Sequence, residues 1–212
     1  MARKGLTRFD DEYRSRWGEL LAGIDEAGRG PLAGPVVAAC VVFPAGVKIR
    51  GVRDSKEMTA AEREEAAVRI RAKAVAVGVG VGSVEEVDAH NIRLASLLAM
   101  RRALTALGLD PQGLLVDGKD PVWCEIPCEA VVDGDAKSLA VAAASIIAKV
   151  TRDALMDAEE LLYPQYGFVR NKGYGTPEHL SALKEHGPCG IHRKSFRPVW
   201  ELLFVQEEIQ GL

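Results

Sequence analysis

Apolar and polar positions along the chain switch between two periods, and the switches mark out its elements. Leu20 to Ile24 and Val36 to Phe43 are short apolar runs bounded by glycine and proline, the pattern of buried strands. Thr59-Ala60-Ala61-Glu62 has the form of a capping box, and its helix is expected to run to about Ala74 with Ala67, Val68 and Ile70 on the buried side. A strand follows over Ala74 to Gly82. Its glycines at 78, 80 and 82 invite a dinucleotide fingerprint, but the third glycine of that pattern should fall at Ser83. Small residues on one strand face instead admit a close-packed helix. Ser83-Val84-Glu85-Glu86 is a second capping box, opening a helical region that breaks near His90-Asn91 and stops at Gly108. Gly113 to Val116 and Glu129 to Val132 are short strands ending at Asp117 and at Asp133-Gly134-Asp135. Lys137 to about Leu162 reads as one long buried helix, ended by Tyr163-Pro164. Thr176-Pro177 starts a helix to His186, and an apolar helix spans Pro198 to Phe204. Met1 to Trp17 shows little periodicity and reads as a partly ordered lead-in.

This order predicts an α/β fold whose sheet begins with an antiparallel pair and does not follow a regular βαβ winding. Residues 18–162 are expected to form the sheet domain and 163–212 a helical extension packed on it, in a single globular unit. At 212 residues the chain can bury a sizeable core without staples. A net charge of -3 argues against bulk-charge coating of nucleic acid, yet leaves room for a local basic face. Gln165 to Arg197 supplies one, with six Lys/Arg against two Asp/Glu. Cys124, Cys128, Cys189 and His192 have the residue types of a zinc site, but the spacing is loose. They are expected to be unpaired thiols and an ordinary histidine in a reducing compartment. With no apolar leader, the chain is expected to be cytoplasmic, monomeric and not membrane-bound.

The chemistry concentrates where apolar runs end. Asp25-Glu26, Asp117 and Asp135 all lie at or just beyond a predicted strand end, and adjacent strand ends share one crevice. Carboxylates gathered there repel unless cations neutralise them, and oxygen-only ligation points to Mg²⁺ or Mn²⁺. Adjacent strand residues face opposite sides, so a shared site for Asp25 and Glu26 requires a backbone twist at the strand exit, which Ala27-Gly28 permits. Gly28 and Gly30 let backbone N–H groups approach a ligand, and Arg29 between them can pair with a phosphate. Carboxylates for a hard cation beside phosphate donors suggest metal-assisted chemistry on a phosphodiester. Lys56 can approach a phosphate, though a solvated lysine is the plainer reading. Tyr174, flanked by glycines, reads as an exposed ring that meets a ligand. His192, Arg193, Lys194 and Arg197 are expected to give backbone affinity.

The stretch Gly23 to Pro35 resembles the signature of type 2 ribonucleases H, which cut RNA strands within RNA–DNA duplexes. Asp54-Ser55-Lys56, Val116-Asp117-Gly118, Gly134 to Ser138, Ala142 to Asp153 and Lys172 to Thr176 resemble the family's later blocks, in chain order. The resemblance implies a ribonuclease H-like mixed sheet flanked by helices. It implies that Asp25, Glu26 and Asp117 ligate divalent ions with Asp135 as the fourth ligand, and Asp135 is preferred to Asp153 because it sits at a strand end. It further implies that Tyr174 stacks on the sugar next to the cut while Gly28-Arg29-Gly30 senses a 2′-hydroxyl. The expected activity is cleavage of RNA–DNA hybrids, and of duplex DNA 5′ to a single ribonucleotide, leaving 3′-hydroxyl and 5′-phosphate ends. With the signature beginning at residue 23, the N-terminal domain of type 3 enzymes is not expected, which favours type 2. Two rivals remain: a DNA exonuclease or resolvase of the same fold, and a catalytically dead hybrid-binding module.

Overall fold

The computed structural model describes residues 5–210, with side chains through Phe204. The end of the tail at Leu212, where the sequence offers no clear clamp-binding motif, lies outside these described side chains. Five strands form one sheet in the order β3-β2-β1-β4-β5. They are β1 (Leu21–Ala27), β2 (Val36–Val42), β3 (Ala76–Gly82), β4 (Gly113–Asp117) and β5 (Cys128–Val131). β1 pairs antiparallel with β2, and β2 with β3, whereas β4 and β5 run parallel to β1. The antiparallel start is therefore as the pattern predicts. β1 takes the centre, with a different kind of partner on each side.

Helices α2 (Ala60–Lys73) and α5 (Leu139–Glu160) cover one face of the sheet, and α3 (Val84–His90) and α4 (Ile92–Thr105) the other. Both capping boxes form as the sequence predicts, at Thr59–Glu62 and Ser83–Glu86. The helical break falls at Asn91, whose φ of 73° ends α3 while its side chain accepts from the Leu94 N–H to start α4. The three glycines of β3 act by absence. A Cβ at Gly78, Gly80 or Gly82 would meet the carbonyl oxygens of Ala103, Ala99 and Ala95 at 2.1, 2.1 and 2.8 Å, so α4 lies directly on the strand backbone. Gly23 does the same for α5, since its Cβ would lie 2.3 Å from the Ala140 carbonyl carbon.

Two expectations fail. Val68 is 69% exposed, because the buried stripe of α2 runs through Ala66, Ala67 and Ile70. The supposed lead-in contains α1 (Leu6–Trp17). Phe9, Tyr13 and Trp17 recur at helical spacing and pack with Leu21, Leu115, Val131 and Val141. Buried Asp10 then accepts from the Ala140 N–H at 3.1 Å, capping the start of α5 from a distant part of the chain. The C-terminal segment, α6 (Phe168–Asn171), α7 (Pro177–His186) and α8 (Arg197–Gln210), shares a core of Tyr166, Phe168, Leu183 and Val199 with Leu32, Ala33 and Met156. Among the described residues no helix is long and apolar enough to cross a membrane.

Candidate active site

The parallel register of β1 and β4, with Ile24 opposite Val116, brings Asp25 and Asp117 out side by side. Asp25 is 5% exposed, and one of its oxygens accepts from the Glu26 N–H at 2.7 Å. Asp117 accepts from the Gly134 N–H at 2.7 Å, which anchors the short 3₁₀ turn Gly134–Ala136 and with it the buried Asp135. Asp135 thus arrives on a turn after β5, not on a strand end. The β1–β2 ladder continues through Glu26–Ala38 and Ala27–Val37, so both Asp25 and Glu26 lie within β1, and both line one cleft. Glu26 lines the cleft and also a small hollow beside Ser96 and Met100 of α4.

The cleft has a volume of about 440 Å³, and its walls include Asp25, Glu26, Asp117, Lys56, Lys149 and Tyr174. Burial, then Glu26 and Asp117, push the Asp25 carboxyl well above the usual carboxylate range. Burial also raises Glu26, opposed by the Arg29 guanidinium 3.0 Å away, and raises Asp117, which feels Asp135 as well. The Lys56 ammonium stands 3.4 Å from Asp135. Burial alone would lower Lys56, but Asp135, Asp54 and Asp25 together raise it. Each acid is therefore compensated by a cation or crowded by another acid. This donor set, oxygen-only and mutually repelling, suits a hard divalent cation. Among the described residues no three acidic, histidine or cysteine side chains yet converge closely enough to ligate one ion.

Beside the acids, the loop from Gly28 to Pro35 is held from beneath by two buried arginines. Arg193 donates to the carbonyls of Gly34, Arg29, Pro31 and Gly28 at 2.6–3.0 Å. Arg152 donates to those of Pro35, Ala33 and Lys172 at 2.9–3.1 Å. With these carbonyls drawn inward, no backbone acceptor among the described residues engages the N–H groups of Gly28, Arg29 and Gly30. Gly28 has φ of 95°, and a Cβ there would strike the Arg152 Nε at 2.0 Å. Across the loop, Tyr174 is 44% exposed, and a Cβ on Gly30 would lie 3.8 Å from its ring.

A model of the ribonuclease HII family matches residues 22–201. The chain belongs to that family. It is 55% identical to ribonuclease HII 2 of Methylibium petroleiphilum, over 87% of this chain and 85% of that protein. It is 51% identical to ribonuclease HII of Geobacillus thermodenitrificans, over 95% and 77% respectively. Among solved structures, ribonuclease H2 of Pyrococcus horikoshii superposes with a TM-score of 0.75 at 28% identity, covering 91% of this chain and 99% of that one. The ribonuclease HII of Archaeoglobus fulgidus, solved in complex with PCNA, gives 0.68 at 30%, covering 82% and 93%. The fold is therefore the ribonuclease H-like mixed sheet, and the protein is a ribonuclease H endonuclease of RNA–DNA hybrids.

Within this ribonuclease HII frame the sequence-predicted residues separate. Asp25, Glu26, Asp117, Lys56, Gly28, Arg29, Gly30 and Tyr174 line one cleft, with Asp135 adjoining through Lys56. Arg193 does not belong to a surface for phosphates. Its side chain is fully buried, with its guanidinium donating to loop carbonyls, and burial, then Arg152, lower its pKa to about 9. Lys194 is exposed away from the cleft lining, and its N–H donates to Asp88 on α3 at 3.0 Å. Asp153 pairs with Lys149 at 2.7 Å and Arg63 at 3.6 Å, two cations of the cleft wall. The sequence pattern alone assigns no role to Arg152, Lys149 or Arg63. A signal existed for Arg152, which falls on the same stripe of α5 as Ala148 and Met156, where a charge is costly without partners.

Proposed function

We propose that this ribonuclease HII cuts duplex DNA on the 5′ side of a single embedded ribonucleotide, as well as uniform hybrids, leaving 3′-hydroxyl and 5′-phosphate ends. The observation that carries this reading is the placement of Tyr174 against Gly30, on the cleft that holds Asp25, Glu26 and Asp117. A loop and a ring so placed can flank a single sugar. The free N–H groups of Gly28-Arg29-Gly30 suit its 2′-hydroxyl, and the ring of Tyr174 suits the face of the following deoxyribose.

Asp25, Glu26, Asp117 and Asp135 would hold two Mg²⁺ or Mn²⁺ ions. When bound, ions of this kind supply an activated water and neutralise charge on the leaving oxygen. The chain's own residues do the rest. Arg29 and Lys56 neutralise part of the phosphate and acid charge, and Asp153 holds Lys149 and Arg63 on the cleft wall. Such an activity fits the removal of misincorporated ribonucleotides and RNA primers.

The test is a duplex with one ribonucleotide, incubated with and without Mg²⁺ or Mn²⁺, beside all-DNA and uniform-hybrid duplexes. Cleavage 5′ to the ribonucleotide that chelation stops supports the reading. All-DNA cleavage at a comparable rate sinks it in favour of a resolvase. Binding that survives chelation with no cleavage under any condition sinks it in favour of a hybrid-binding module.

A further inference from the structure

Behind Tyr174 lies a chain of hydrogen bonds that the chemistry above does not use. His179 and His192 are both buried, and their Nε2 atoms meet at 3.0 Å. At one end, the Cys189 backbone N–H donates to His192 Nδ1 at 3.0 Å. A backbone amide only donates, so His192 Nδ1 is bare and its single proton sits on Nε2. At the other end, His179 Nδ1 lies 2.9 Å from the Tyr174 carbonyl, which only accepts. His179 therefore carries its proton on Nδ1 and leaves Nε2 bare. The two ends, set independently, meet correctly in the middle: His192 Nε2–H donates to His179 Nε2.

From this we infer that His179 and His192 are positioning residues for substrate, a proton-ordered relay that fixes the Tyr174 peptide relative to the ribonucleotide-sensing loop. Both ends of the relay are tied to that geometry. His192 forms a β-bridge with Ala33, flanked by Arg193 N–H to Leu32 carbonyl at 2.8 Å and Gly34 N–H to Ile191 carbonyl at 2.9 Å. His179 holds the peptide of Tyr174, and the Leu32 N–H donates to the Gly173 carbonyl at 2.8 Å. The relay joins the loop side of the cleft to its tyrosine side.

The relay works only while both rings are neutral. A further proton on either ring puts two donors face to face, at Cys189 or between the rings. The surroundings offer a cation no anionic partner: the rings of Tyr166 and Phe168 pack against the pair, the Cys189 thiol is 3.1 Å from His192, and buried Arg193 is next in sequence. No carboxylate contacts either ring among the described residues. Burial lowers the pKa of His179, and burial followed by His179 lowers His192 to about 4.

The inference rests on Tyr174 being the residue that meets the sugar, so its test has one arm that needs no activity. Long-range ¹H–¹⁵N spectra of histidine-labelled wild-type protein at neutral pH should show His179 protonated on Nδ1 alone and His192 on Nε2 alone. The opposite tautomer at His179, or a cation at either ring, overturns the relay. In the second arm, His179→Asn keeps a donor near the Nδ1 position and His179→Phe keeps only ring bulk. His179→Phe should raise KM on the single-ribonucleotide duplex about tenfold with kcat little changed, and His179→Asn should recover most of that loss. Equal KM values for His179→Phe and wild type overturn the proposal. Wild-type enzyme that fails on that duplex, with the tautomers as stated, overturns the reading of the substrate and leaves the relay supported.

Discussion

Gly28 and Gly30, two glycines of the loop beside the acids, should fail in opposite ways when each gains one methyl group. At Gly28 the φ of 95° disfavours any side chain, and the new Cβ would sit 2.0 Å from Arg152 Nε and 2.9 Å from the Pro35 carbonyl. The backbone strain costs roughly 1–3 kcal/mol. Displacing Arg152 costs at least its bond to Pro35, and a bond to a charged donor is worth about 1.5–3 kcal/mol. Gly28→Ala should therefore lose roughly 3–5 kcal/mol, a fall of about 10 °C in Tm for a chain of this size. Gly30 is different: nothing lies closer to its added Cβ than the Tyr174 ring at 3.8 Å, an ordinary contact. Gly30→Ala should stay within about 0.5 kcal/mol of wild type in chemical denaturation. Its methyl nonetheless enters the cleft beside Tyr174, so cleavage at a lone ribonucleotide should drop with the fold intact. Urea melts and single-turnover cleavage on the same preparations give both quantities. Equal destabilisation by the two substitutions would refute the view that Gly28 is needed by the arginines beneath and Gly30 by the ligand above.

Three other outcomes follow from the acids and the buried titrating groups. Asp25→Asn and Asp117→Asn should abolish cleavage. Their folded pKa values are raised, so each carboxyl loses stability as pH rises through the carboxylate range, and both variants should melt higher than wild type at neutral pH in chelator. Asp135→Asn should cost far more rate than Asp153→Asn, which frees Lys149 and Arg63 but touches no acid of the cleft; the reverse order in kcat would exchange their roles. Acid should unfold the protein through His192. Its pKa falls from 6.5 unfolded to about 4 folded, so roughly 3 kcal/mol disappears as pH drops through that window. Asp10, raised by burial from 3.8 to about 6, gains stability over nearly the same window and opposes that loss. Asp10→Asn should therefore make stability fall more steeply between pH 6 and 4, and an unchanged slope would contradict this balance.

How much was legible in the chain depended on how local the signal was. The capping boxes, the glycine face of β3 and the strand end at Asp117 need only neighbouring residues, and all of them form. Arg193 looked like a surface cation because its acceptors, the carbonyls of Gly28 to Gly34, lie some 160 positions earlier in the chain. The acid pair Asp25-Glu26 was expected at the strand exit, whereas pairing with Ala39 and Ala38 carries the strand past both, and both still line one cleft. Helix α1 went unread because its charges hide a stripe whose partners, Leu115, Val131 and Val141, come much later. Composition near a residue says little when its partners arrive from elsewhere.

The mixed pairing of β1 also sets an order in time. β1 and β2 are separated by a short loop, so their antiparallel ladder closes cheaply, carrying Asp25 and Glu26 with it. Asp117 enters only when β4 docks parallel to β1 across a long intervening segment, the slow kind of closure. Arg193 reaches the Gly28 to Pro35 loop later still, from beyond α7. A chain emerging from the ribosome thus holds a loop without its Arg193 support until nearly all of it has been made.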